Sequence, residues 1–170
     1  MRKSPIVLVA IVAIAAIAVV GAAPATAGTT RVSGNQTPVA LGDPCIAGDP
    51  SSLGTYRVDG SLVGCWYTDE FTFREHPSGT VQATGREHFI GCLDRSGDGT
   101  CTGDPSGTLF FEFQFSGKYD LVTLAEIRGR CQHPIVSGTG GFVGAGGVLT
   151  FKDDVSTGIA TYTGNVMFDG

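Results

Sequence analysis

Clustered basic charge, helical periodicity and familiar catalytic spacings are all scarce in this 170-residue chain. Eleven Lys and Arg stand against 16 Asp and Glu, a formal net charge of −5, and the basic residues are scattered along the sequence. Surfaces that wrap nucleic acid use clustered Lys and Arg to displace counterions from phosphates. Nucleic acid and anionic membranes are therefore not expected as partners. The cysteines form no Cys-x-x-Cys pair, and their irregular spacing argues against zinc. No Gly-x-Ser-x-Gly elbow is present, so hydrolysis has no positive support. Beyond residue 27, no stretch of helical length keeps a 3.6-residue period, and no second apolar run is long enough to span a bilayer.

Residues 1–27 have a distinct character. Arg2 and Lys3 precede an unbroken apolar run from Ile6 to Val20, followed by small residues ending at Ala25-Thr26-Ala27. That order of basic, apolar and small-residue regions is the pattern of a secretory signal peptide, with cleavage expected after Ala27. An uncleaved signal anchor is the alternative, since the run extended to Ala23 could just cross a bilayer. After cleavage 143 of the 170 residues remain, with 9 basic and 16 acidic side chains and a net charge of −7. The expected product is a secreted single domain with no stable membrane insertion. Its oligomeric state is not legible.

All five cysteines, Cys45, Cys65, Cys92, Cys101 and Cys131, lie in the exported part. Oxidising compartments favour disulfides, and an odd count allows at most two within one chain. Cys92 and Cys101 bracket a turn-rich loop and are the easiest pair. Cys45 with Cys65 is the preferred second pair, leaving Cys131 buried and free.

Residues 28–52 are rich in Gly, Thr, Pro, Asp and Ser without a period, and read as an extended N-terminal strap before a β domain over 53–170. Asn35-Gln36-Thr37 matches a glycosylation acceptor or marks an exposed loop. From Gly54 onward, β-rich runs at about 54–61, 64–74, 80–92, 107–116, 121–132, 146–152 and 157–168 alternate with turn clusters. In the fourth, Leu109, Phe111, Phe113 and Phe115 alternate with Phe110, Glu112, Gln114 and Ser116, which gives a strand with one wholly apolar face. Short turns at 76–79, 118–120 and 153–156 suit antiparallel neighbours. Seven or eight such strands must manage their edges, and closure removes them. The expected fold is all-β, an antiparallel up-and-down barrel, with a β-sandwich as the alternative. The glycine-dense stretch from Gly138 to Gly147 suits a barrel corner. It lacks the phasing and the following helix of a phosphate loop.

The same stretch carries a resemblance. Gly138, Thr139, Gly140, Phe142, Gly144, Ala145 and Gly147 fit the Gly-Thr-Gly-x-Phe-x-Gly-Ala-x-Gly signature of the allene oxide cyclase barrel-like group, which includes the plant dirigent proteins. The resemblance is close over residues 126–154 and 157–166, and implies an eight-stranded antiparallel barrel with a central cavity. The plant cyclases isomerise a reactive fatty-acid epoxide and the dirigents steer radical coupling of phenols, each holding a hydrophobic ligand in the barrel. No motif outside the glycine segment anchors a transfer of their functional residues, so the resemblance implies an available cavity and no more.

Several polar groups are candidates for chemistry. Glu112 on its strand, and Glu126, Arg128 and Arg130 on one face of the next, would orient a small hydrophobic or amphipathic ligand if they point inward. The alternative is an exposed cross-strand ion pair. Arg-Glu-His occurs at 74–76 and 86–88, on strands joined by the Pro77 turn, which sets Asp69 or Glu70 near Arg86. His76 and His88 would sit at different heights, poorly placed to share a metal. His133, before Pro134, reads as structural or surface. Asp94, Ser96 and Asp98 repeat the opening of a calcium loop, with Asp104 as a substitute for the missing terminal Glu; ordinary turn chemistry and the Cys92–Cys101 staple explain the same residues. No cofactor is expected, with calcium the lesser alternative.

Two functions follow, a secreted barrel that holds a small ligand, or an interaction module whose barrel its own aromatic side chains fill. The side of strand 107–116 that faces inward separates them: Glu112 inside favours the ligand site, the phenylalanines inside favour the filled core.

Overall fold

The computed structural model describes residues 28–168, so the signal-peptide reading lies outside the described residues. The elements in order are β1 (Gly28–Pro38), a short helix α1 (Pro44–Gly48), β2 (Gly54–Gly60), β3 (Leu62–Glu75), β4 (Thr80–Leu93), β5 (Ser106–Tyr119), β6 (Glu126–Gly138), a 3-10 turn at Gly140–Phe142, β7 (Ala145–Asp154) and β8 (Ile159–Phe168). Each strand pairs antiparallel with its sequence neighbour and β1 pairs with β8, closing an eight-stranded barrel. The barrel expected from alternation is the architecture found, and the sandwich is not.

The alternation on β5 decides the inside. Leu109, Phe111 and Phe113 are buried, while Phe110, Glu112, Gln114 and Ser116 are exposed. Leu109 and Phe111 meet Trp66, Phe89, Phe151 and Tyr162 in one core. Trp66 is fully buried and stacks on Phe111 at 4.3 Å between centroids. Towards the end holding both described termini, Leu62, Leu93, Leu109, Phe142 and Val166 pack with no exposure. Phe142 is delivered there by the glycine-rich corner, where Gly140, Gly144 and Gly147 have positive φ, so the corner expected from composition is also the plug of this end.

The lead-in strap departs from expectation over its first half. Residues 28–38 are β1, the strand that closes the barrel between β2 and β8. Its inward side offers Val32 and Gly34 where other strands offer aromatics, so alternation of hydrophobicity is hardly visible there. Gly34 is required by a close approach, since a Cβ would lie 2.6 Å from the Tyr162 hydroxyl. That hydroxyl donates to the Asp59 carbonyl at 2.9 Å and accepts from the Leu62 amide at 2.8 Å. A buried tyrosine of β8 thus satisfies the backbone of the β2–β3 turn beneath β1.

The remainder of the strap folds back outside the barrel. Asp43 caps α1 by accepting from the Cys45 amide at 2.8 Å, and Pro44 opens the helix. Cys45 is bonded to Cys65 on β3, and Cys92 to Cys101 across the β4–β5 loop. Both are the pairs preferred from the sequence, and Cys131 is the free thiol.

Replacing Tyr162 with Phe strands the buried Leu62 amide and the part-buried Asp59 carbonyl, and is expected to cost about 1–3 kcal/mol. A urea midpoint equal to that of the parent protein would show that the hydroxyl does not hold the closure.

Candidate functional site

The lumen has two halves. Below Trp66 it is solid; above, it opens as a cleft of about 680 Å³ under the 39–53, 76–79, 120–125 and 155–158 connections. Tyr56, Phe71, Phe113, Phe115 and Phe151 contribute apolar walls. The phenylalanine face of β5 therefore points inward yet fills only part of the barrel.

Glu87 lies at the floor and is 8% exposed. Its register partner is Phe111, so the parity that turns Phe111 inward also turns Glu87 inward. Oε2 accepts from Trp66 Nε1 at 2.7 Å and lies 2.8 Å from His133 Nε2; Oε1 accepts from Thr68 Oγ1 at 2.9 Å. A carboxylate oxygen accepts, so a proton on His133 Nε2 would suit this contact. The other ring nitrogen, Nδ1, is buried without a hydrogen-bond partner among the described residues, and His133 lines the cleft. Chemically, this is an imidazole oriented by a carboxylate with one nitrogen uncommitted.

A second polar group sits at the mouth. Tyr119 donates to Glu126 Oε2 at 3.1 Å, and Glu126 Oε1 is buried without a donor among the described residues. Asp153 comes beside it, both carboxylates crowding the space over Gly129 that a side chain would need. Burial, then the Asp153 charge, hold the Glu126 carboxyl above its ordinary value. Burial, with Glu126 next, pushes the Tyr119 phenol up to about 12. Glu126 reaches the interior because β6 is irregular. Lys118 pairs with Arg128 but Tyr119 pairs with Glu126, leaving Ile127 as the extra residue of a bulge.

That bulge separates residues expected to share one face. Of Glu112, Glu126, Arg128 and Arg130, only Glu126 lines the cleft. Glu112, Arg128 and Arg130 are exposed on the outer face. Glu112 lies opposite Arg86, which pairs with Glu70 at 2.8 Å. The alternative expected for that hairpin, Asp69, is displaced by a bulge between Thr68 and Glu70 and bonds His88 Nδ1 at 2.7 Å instead. Asp49, Asp69 and His88 converge outside the barrel, with donor atoms within 4.8 Å of one another, a group able to hold a metal ion. His76 is elsewhere, 3.2 Å from Gln82. Cys131 is half-buried in the cleft, and burial followed by the charges of Glu87 and Asp153 pushes its thiol up, which makes it a poor nucleophile.

The candidate calcium residues are engaged in their own loop. Asp94 accepts from Ser96 Oγ, from the Gly97 amide at 2.7 Å and from the Gly99 amide at 2.8 Å. Asp98 accepts from the Thr100 amide and Asp104 from the Arg95 amide. The carboxylates thus face separate backbone donors rather than a common centre. Asn35, of the acceptor triplet, donates to Asp59 at 3.0 Å from within β1.

The sequence reading did not single out Glu87, His133, Tyr119 or Asp153 as one site. Strand parity was the available signal for the first two, through their partners Phe111 and Leu149; nothing marked the mouth pair before the bulge was known. Comparison of the chain with models of known protein families, and with curated proteins, returns no match.

Replacing Glu87 with Ala leaves the Trp66 indole, Thr68 and His133 without their shared acceptor and is expected to destabilise the fold by about 3–5 kcal/mol. Trp66 is the sole tryptophan, so denaturation followed by its fluorescence reads the site directly; an unchanged midpoint contradicts the assignment. The loop aspartates set the acid limit. Backbone N–H donors lower Asp94, as they do Asp43 and Asp120, below the ordinary 3.8. A depressed carboxyl stabilises the fold fully above its unfolded value and loses that contribution as pH falls through the folded one. Asp94→Asn should therefore flatten the loss of stability below about pH 4, measured as urea midpoint against pH; an acid limb of parental steepness refutes it.

Proposed function

We propose that this protein is an exported barrel that holds a small amphipathic molecule in the open half of its lumen, its polar end a hydrogen-bond donor or a cation. The observation that carries the reading is the unbalanced polarity of the cleft. Aromatic walls suit an apolar body, while Glu87, Glu126, Asp153 and Asp154 bring acceptors and no Lys or Arg lines the space. A buried carboxylate oxygen without a donor favours a ligand that supplies one. The same acidity disfavours a fatty-acid carboxylate. Export rests on the 1–27 pattern with cleavage after Ala27, and two disulfides suit an oxidising compartment. The likeness to the allene oxide cyclase and dirigent group is consistent with a closed eight-stranded barrel. The uncommitted Nδ1 of His133 favours a second reading, isomerase-like or coupling-directing chemistry in which this nitrogen takes a proton from the bound molecule.

Dansylcadaverine, an aromatic amine probe, tests the binding reading through energy transfer from Trp66. It should bind, dansylated undecanoic acid should bind at least about tenfold more weakly, and Ala83→Phe in the cleft wall, which fills space without adding a second tryptophan, should abolish the signal. No transfer with either probe, or transfer insensitive to Ala83→Phe, overturns the reading. Glu126→Gln should weaken the amine while raising stability at neutral pH. A carboxyl whose folded pKa is raised stabilises below its unfolded value and loses that contribution as pH rises through the folded one. A thermal midpoint at pH 7 below that of the parent would contradict this.

A further inference from the structure

We infer that the outer face of β4 to β8 is a docking surface for an acidic polysaccharide, one carrying carboxylates among its hydroxyls. The inference is independent of the cleft and rests on what barrel closure brings together outside it.

Five of the nine Lys and Arg beyond residue 27 gather on this side: Arg74, Lys118, Arg128, Arg130 and Lys152. The register makes the grouping explicit. Gln82, Ser116, Arg130, Lys152 and Thr161 are successive cross-strand neighbours in one row, and Arg74 extends it on β3. The adjoining row reads Thr84, Gln114, Gln132, Thr150 and Thr163. Lys118 and Arg128 pair on the other side of the first. Neither row contains a carboxylate in a chain of net charge −5. A shallow groove of about 790 Å³ runs along the cations and threonines.

Arg130 faces Lys152 directly across β6 and β7. Like charges so placed repel, and the usual relief is a carboxylate nearby. Among the described residues none of these five cations has one within 4.0 Å, whereas Arg57 and Arg86 do. The repulsion is standing, and an anion laid across the row would relieve it.

The neighbours of the cations select the kind of anion. Hydroxyl and amide side chains flank them, and neither row carries an aromatic platform of the kind single-stranded nucleic acid uses for base stacking. No apolar side chain projects from either row for insertion into a lipid interface. Serine, threonine and glutamine both donate and accept, which matches a ligand dense in hydroxyls, and guanidinium groups match carboxylates. A uronate polymer has both.

Affinity electrophoresis of the full chain through gels containing polygalacturonate tests this, with neutral galactan, duplex DNA and phosphatidylglycerol vesicles as parallel arms. Polygalacturonate should retard the protein, less so at high salt, and galactan should not. The pair Arg130→Ser with Lys152→Thr should lose at least about tenfold in affinity while dansylcadaverine binding holds and the thermal midpoint does not fall. Arg31→Ser, on β1 outside the rows, should bind as the parent does. Equal retardation of the double variant, stronger capture by DNA or vesicles, or no retardation in polygalacturonate overturns the inference.

Discussion

A closed barrel gives all its inward side chains one shared lumen, so any charge placed there must be met from several strands at once. Glu87 is that charge. Left unpaired it would cost several kcal/mol, and three donors from two other strands, Trp66 and Thr68 on β3 and His133 on β6, converge on its two oxygens. The carboxylate thereby fixes the tilt of the tryptophan that floors the cleft and the orientation of the histidine beside it. Below this level hydrophobic packing and the Tyr162 hydroxyl fill the lumen; above it the barrel is open. The boundary between stability and binding runs through one side chain.

Charge is sorted by the wall. Acceptors line the mouth, where Glu126 and Asp153 share a cramped space, and uncompensated cations line the outer face of the same strands. Lys152 and Asp153 are adjacent in sequence and belong to opposite surfaces, as strand pleating requires. Glu126 and Arg128 have equal parity yet are also separated, because the bulge at Ile127 resets the phase. The excess of acid in the composition therefore conceals a locally basic surface.

Much of the framework was legible because alternation on a strand is a local property. Phe111 and Phe113 declare their side of β5, the short turns declare antiparallel neighbours, and Cys92 and Cys101 flank a loop small enough to name. The first strand was not legible, since Val32 and Gly34 provide too little contrast and Tyr162, which they accommodate, lies more than a hundred residues away. Glu87 and His133 were visible as residues but not as a pair. Their contact depends on β3, β4 and β6 facing one another across the lumen, which no local pattern encodes.

By itself the sequence determined the class of fold, the inward face of its clearest strand, the preferred disulfides and the glycine corner, because each depends on neighbours along the chain or on backbone freedom at a single position. Only the tertiary structure decided which polar groups share the cleft, which cations share the outer rows and which candidate aspartates are consumed by their own loop. Those outcomes turn on strand register and on three bulges, and a one-residue change of register moves a side chain from one surface to the other.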